Sequence, residues 1–221
     1  MNESAIIYLP ISLGEAIDKL TILDVKLENI VDSRRDNVKR EYDLLYEKLE
    51  KYIIKYNDMY QIMKKVNLLI WDMMDKLRDG ELSNEEYFKV CKECVEYNDV
   101  RFRVKNKINH ICESYLKEEK GYKINKLVVL INQDIQNDLT IQNIIKYFSF
   151  VYDEINIMSN FELNYLKKYF LYDNSITFDT CLSNENTINY KCKIVVENIK
   201  YSEEELYKLF NVSVNELNKI I

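Results

Sequence analysis

Apolar residues in the first half of the chain return every three or four positions, the period of one helix face. Leu13, Ile17, Leu20, Leu27 and Ile30 mark a first helix, opened by the capping-box pattern Ser12-x-x-Glu15. After a polar turn at Asp32–Asp36, a second stripe runs through Val38, Tyr42, Leu45, Leu49, Tyr52 and Tyr56. Beyond Asn57-Asp58 a third carries Met59, Met63, Val66, Ile70, Met73 and Leu77, with Gly80 as its stop signal. Ser83-x-x-Glu86 opens a long fourth helix towards Tyr115. Ahead of them, Ile6–Ile11 is short, apolar and β-branched and predicts a strand.

Past Gly121 the pattern changes. Lys126–Ile131 predicts a strand, Asp138–Val151 a helix, Ile155–Met158 a strand, Phe161–Leu171 a helix and Ile176–Leu182 a third strand. That alternation predicts a parallel sheet with right-handed crossovers. Thr187–Val196 alternates again across the polar Ser183–Asn186 stretch, which predicts a hairpin. Ser202-x-x-Glu205 and Ser213-x-x-Glu216 predict two closing helices. The expected fold is α plus α/β. An antiparallel helical bundle over residues 1–123 with a short N-terminal strand precedes a small three-layer α/β module, mostly parallel, over 124–221.

Charge sharpens that division. The first 123 residues hold 22 of the 31 basic and 24 of the 37 acidic side chains. A net charge of −6 over 221 residues argues against nucleic acid as a partner, and the closing Glu203–Ile221 stretch is itself acidic. With three glycines and one proline, neither G-x-G-x-x-G nor G-x-x-x-x-G-K-[ST] occurs. The longest uncharged run, Ser4–Gly14, is too short to cross a bilayer and lacks the basic start of a signal peptide. Five cysteines in no even framework are expected as reduced thiols in an intracellular, cytoplasmic setting. Heavy use of Asn, Ile, Lys and Tyr points to an AT-rich genome, such as that of a large DNA virus.

Cys91-x-x-Cys94 with His110 and Cys112 invites a zinc reading. On one helix His110 lies roughly 24 Å beyond Cys94 at about 1.5 Å per residue. Four ligands of one metal cannot span that distance, so no metal site is expected there. A better set follows helical steps. Asn67, Trp71, Asp75 and Arg78 share one face of the third helix, and Asn98, Arg101, Lys105 and Asn109 one face of the fourth. Glu15, Asp18 and Lys19 occupy the first turns of the first helix. Together these define a candidate cleft for an anionic small molecule. In it Lys19, Arg78, Arg101 and Lys105 meet phosphate or carboxylate. Glu15, Asp18, Asp72, Asp75 and Asp99 orient those cations or hold Mg²⁺, and Trp71 stacks on a base or sugar.

The same residues carry a resemblance. Ser12-Leu13-Gly14-Glu15-x-x-Asp18-Lys19-x-Thr21-Ile22-Leu23 is similar to the opening of an uncharacterised domain-of-unknown-function family. Later blocks fit as well: Val66-Asn67 with Trp71-Asp72 and Asp75, Asn98-Asp99-x-Arg101 with Lys105 and Asn109, and Leu116-x-Glu118-Glu119-Lys120-x-Tyr122. The resemblance spans residues 6–122. Members of that family tend to be encoded beside or fused to sugar-transfer machinery, which implies a role in glycan or nucleotide-sugar metabolism. Residues 126–180 resemble the first Rossmann-like half of glycosyltransferase-like proteins, through Asp138–Ser149, Tyr152–Ile155 and Tyr172–Phe178. Where those proteins have a glycine-rich turn, this chain has Asn132–Asn137 without glycine, and about 98 residues leave no room for a second lobe. That combination implies a remnant that binds or docks. The resulting expectation is a protein that binds an anionic ligand such as a nucleotide-sugar, or assists a transferase partner. A non-enzymatic protein that forms homo-oligomers through its long, coiled-coil-like helices is the alternative, supported by 18 tyrosines.

Overall fold

The computed structural model describes residues 7–121, 124, 126–131, 139–180 and 192–196. Four helices come first: α1 (Leu13–Asn29), α2 (Arg34–Lys55), α3 (Asn57–Asp79) and α4 (Asn84–Ile111). Then follow β1 (Lys126–Ile131), α5 (Leu139–Phe148), β2 (Glu154–Ser159), α6 (Asn164–Tyr169), β3 (Ile176–Asp179) and β4 (Cys192–Val196). The closing segments predicted from Ser202 and Ser213 lie outside the described residues.

Helix boundaries follow the punctuation in the sequence. Ser83 and Glu86 exchange side-chain and backbone hydrogen bonds as a full capping box for α4. Gly80 takes φ 73°, the left-handed conformation that glycine adopts freely after a helix. The start of α1 is built differently. Ser12 Oγ accepts from Glu15 N–H at 3.1 Å, but the Glu15 carboxylate turns away to accept from Lys105 on α4. The neighbouring amides of Leu13 and Gly14 donate to Ser114 Oγ (3.1 Å) and Asn109 Oδ1 (2.6 Å). Amides that a helix start leaves orphaned are thus satisfied by the far end of α4 and the turn after it.

Helix α1 contacts α2, α3 and α4, whereas α2 meets α3 only sparsely. Its inner face, Ile17 and Leu20, packs in one cluster with Met63 and Val66 of α3 and Val104 and Ile108 of α4. That cluster continues into the sheet through Leu127, Val129, Ile131, Ile155 and Ile157 and into α5 through Ile144, Ile145 and Phe148.

The sheet is wholly parallel, in the order β3-β2-β1-β4. That is the order of the first four strands in doubly wound α/β folds. Two expectations are corrected. β4 is not the second arm of a hairpin: it lies parallel to β1, with Leu127 opposite Cys192 and Ile131 opposite Val196. The reason is in β1, buried at every position after Lys126, since a strand apolar on both faces belongs inside a sheet with a neighbour on each edge. Nor do residues 7–11 form a strand. Ile7, Tyr8 and Leu9 are exposed, and every described strand partner comes from the C-terminal part, leaving this segment no ladder to join.

Candidate functional site

Three helices contribute side chains to one buried polar cluster. Asp18 of α1 is fully buried, and Arg101 of α4 grips it side-on, Nε to Oδ1 at 2.8 Å and Nη2 to Oδ2 at 2.6 Å. Asn67 Nδ2 of α3 donates to the same Oδ1 at 2.8 Å and to Thr21 Oγ1 at 2.9 Å, while Thr21 Oγ1 donates to the Asp18 carbonyl. A carboxylate with no solvent needs this complete a set of donors. One turn along α4, Lys105 Nζ pairs with Glu15 at 2.9 Å and with Glu118, which lies on the irregular segment after α4. Lys120 pairs with Glu118 at 3.3 Å and rests over the Phe102 ring. The seam continues outward along α1 and α3, where Tyr60 O–H donates to Asp24 and Lys64 bridges Asp24 and Glu28.

Of the residues named from spacing, Glu15, Asp18, Asn67, Arg101, Lys105 and Asn109 come together. The others do not. Lys19 turns aside to α2 and pairs with Glu41 at 3.0 Å, because one residue along a helix turns the side chain by about 100°. Asp75 and Arg78 pair with each other at 3.4 Å on the exposed end of α3. Trp71 and Asp99 are half-buried, and Asp72 and Asn98 are exposed. The five carboxylates named for Mg²⁺ therefore do not converge. Among the described residues no group of three or more His, Cys, Asp or Glu side chains gathers to hold a metal ion. Cys91, Cys94 and Cys112 are free, and burial pushes the thiols of Cys94 and Cys112 up, away from reactive thiolates.

Charge in the cluster balances internally. Burial by itself would lower Lys105, but hydrogen bonds to Glu118 and Glu15 outweigh it and raise the ammonium above its ordinary value. Burial would likewise raise Glu118, yet Lys105 and Lys120 hold it below.

A second network lies on the opposite face of α4 and was not anticipated. Arg103 Nε donates to Asp153 Oδ1 at 2.9 Å and its Nη1 to the Phe150 carbonyl at 3.3 Å. Lys107 Nζ donates to Asp173 at 2.5 Å and sits 5.3 Å from the Phe150 ring. Burial lowers the Lys107 ammonium, whereas Asp173, despite its own burial, is lowered by the charge and hydrogen bond of Lys107. Arg103 and Lys107 are four residues apart, so the step rule that found Arg101 and Lys105 reaches them too. Nothing local marks their partners, which lie 50 and 66 residues away.

These carboxylates set an acid limit. Asp173 and Glu118 bind protons more weakly folded than unfolded, where their ordinary values are 3.8 and 4.5. Below those values the unfolded chain takes up more protons, so stability falls with falling pH. Urea unfolding of the native protein is expected to show a loss beginning below pH 4.5. The same slope is expected to flatten in Asp173→Asn and Glu118→Gln proteins, and an unchanged slope in both would count against these pairs.

Comparison with known proteins adds one match. Residues 7–129 match the model of DUF6165, a family of unknown function. The match covers more than half the chain and takes in every residue of the polar cluster. No curated protein and no solved structure matches.

Proposed function

The chain belongs to that family of unknown function, so membership supplies no activity, and we propose that its helical part binds an anionic small molecule over Arg101 and Lys105. The ligand class is a nucleotide-sugar or its phosphate-bearing portion. One observation carries this reading. Lys105 is held by two carboxylates from different segments, and one of them, Glu118, sits on irregular chain laid against α4 rather than on a helix. A ligand anion taking the place of Glu118 keeps the cluster electrically balanced. Arg101, with its side chain 25% exposed, is one turn away. Its side-on grip on Asp18 uses Nε and Nη2, which turns Nη1 away from that carboxylate towards a second anion.

Thermal unfolding of the native protein with UDP and with UDP-N-acetylglucosamine, each with and without Mg²⁺, tests this. A ligand that binds only the folded state adds about 2.7 kcal/mol at a hundredfold excess over Kd. Stabilisation is expected to be larger in Glu118→Gln, which lacks the competing charge, and lost in Lys105→Gln. Absence of a shift in both native and Glu118→Gln proteins would end the proposal.

A second reading rests on α4. Phe88 is 73% and Val95 64% exposed, with Tyr87 also exposed, on a part of the helix that α1 leaves uncovered. An interaction protein uses such side chains as anchors. Under that reading no ligand moves the unfolding temperature, and the molecular mass in sedimentation rises with concentration.

A further inference from the structure

The face of α4 turned away from the Asp18 cluster borders a cleft of about 330 Å³, closed on its other sides by the 117–119 segment and by the ends of α5 and β2. That volume falls in the range of small-molecule sites. We infer that this cleft is a binding site for an uncharged, polyhydroxylated molecule of about monosaccharide size.

Charge selects against anions. Among the lining side chains Arg103, Lys107 and Lys117 are balanced by Glu119, Asp153 and Glu154, and His110 adds one imidazole. Arg103 is committed to Asp153, Lys107 to Asp173 behind it, and Glu154 to Lys126. A phosphate entering here meets carboxylates already placed, and no surplus cation compensates the loss of its hydration.

Hydrogen-bonding capacity selects for hydroxyls. Asn106 lines the cleft, and its Oδ1 is buried with no hydrogen-bond partner among the described residues. A buried acceptor in that state costs about 1–3 kcal/mol, recovered when the amide turns to present it to a ligand O–H in the cleft. Glu154 adds a carboxylate whose remaining lone pairs accept further hydroxyl protons. Phe102 and Tyr152 supply apolar ring surface for the C–H faces of such a molecule. Acceptors facing aromatic surface in a neutral setting match a ligand that is rich in donors, carries no charge and is apolar between its hydroxyls.

This inference stands apart from the Arg101–Lys105 proposal, and the two fail separately. Calorimetric titration with glucose and N-acetylglucosamine, alongside inorganic phosphate and UDP, reads both sites. At least one neutral sugar is expected to bind the native protein, with affinity kept in Lys105→Gln. Asn106→Leu is expected to weaken that sugar about tenfold, the cost of losing one buried ligand hydrogen bond. It should leave the unfolding temperature unchanged or higher, because the acceptor it removes bonds to nothing among the described residues. Asn106→Asp, which keeps an oxygen at Oδ1, is expected to retain binding. The inference is overturned if neither sugar binds, if phosphate competes for the cleft as well as the sugar does, or if Asn106→Leu binds the sugar like the native protein.

Discussion

Replacing Asp18 with alanine is expected to destabilise the protein by about 3–5 kcal/mol, the cost of removing one partner from a buried ion pair. The carboxylate is wholly buried and accepts two bonds from Arg101 and one from Asn67. Its removal leaves a guanidinium without its counter-charge and an amide without its principal acceptor, Asn67 being buried and Arg101 only a quarter exposed. Urea unfolding followed by circular dichroism measures the loss, with an unchanged denaturant slope showing that the folded state itself persists. Lys19, the next residue in sequence, provides the contrast. Its pair with Glu41 is half-exposed, and Lys19→Ala is expected to stay within about 0.5 kcal/mol. An Asp18→Ala cost as small as that of Lys19→Ala would show the cluster to be no structural clamp. Coupling between Asp18→Ala and Arg101→Ala in a double-mutant cycle isolates the pair from the burial around it.

Gly14→Ala is the second large effect, and its sign runs against helix propensity. Alanine is favoured over glycine in a helix by about 1 kcal/mol, so an open position here would gain stability. Gly14 is not open. A Cβ there would come to 2.9 Å from Asn109 Oδ1 and closer still to the Lys105 carbonyl oxygen. Oxygen of helix backbone cannot swing aside as a side-chain tip does, so α1 must lift off α4. That movement breaks the Gly14 N–H bond to Asn109 and loosens the Glu15–Lys105 pair beside it. Overpacking of this kind costs about 3 kcal/mol. For a chain of this size that corresponds to a fall of roughly 6–12 °C in unfolding temperature. A rise in unfolding temperature would mean that the two helices are farther apart than described.

The two variants probe one design. Glycine lets α1 and α4 approach until backbone touches backbone, Asn109 caps the incoming helix, and Asp18 then locks to Arg101 one turn deeper. Asn109, grouped from spacing with ligand-binding residues, has its oxygen engaged in holding the start of α1. Spacing along a helix places side chains on a face but is silent about what that face meets, and a cap donated from another helix looks the same in sequence as a ligand contact.

How much was legible differs by level. The four helices and the first three C-terminal strands follow from periodicity, because each depends on residues within a turn or two of one another. Periodicity also set Asn67 on one face of α3 and Arg101 and Lys105 on one face of α4, but their meeting with Asp18 and Glu15, 49 to 90 residues away, is tertiary. Lys19, Asp72, Asp75, Arg78 and Asn98 were assigned to the same cleft and lie outside it. Helical faces are about 100° per residue apart, and charged side chains face solvent far more often than a buried partner. The strand predicted at residues 6–11 is not formed at 7–11 for a different reason: β propensity describes a residue's fit to a sheet, and in the described structure no sheet edge meets this segment.

By itself the amino-acid sequence determined the types of the elements from α1 to β3, the change from helical to alternating architecture near Gly121 and the polar face of α4 that serves α1. Only the tertiary structure decided that β4 joins β1 in parallel, that the opposite face of α4 carries Arg103 and Lys107 to Asp153 and Asp173, and that a cleft opens between them. Hydrogen bonds within a helix and its side-chain period are local and leave a local record. Pairing across 50 or more residues is settled by which buried charges and strand edges would otherwise go unsatisfied, a condition that exists only once the chain has closed on itself.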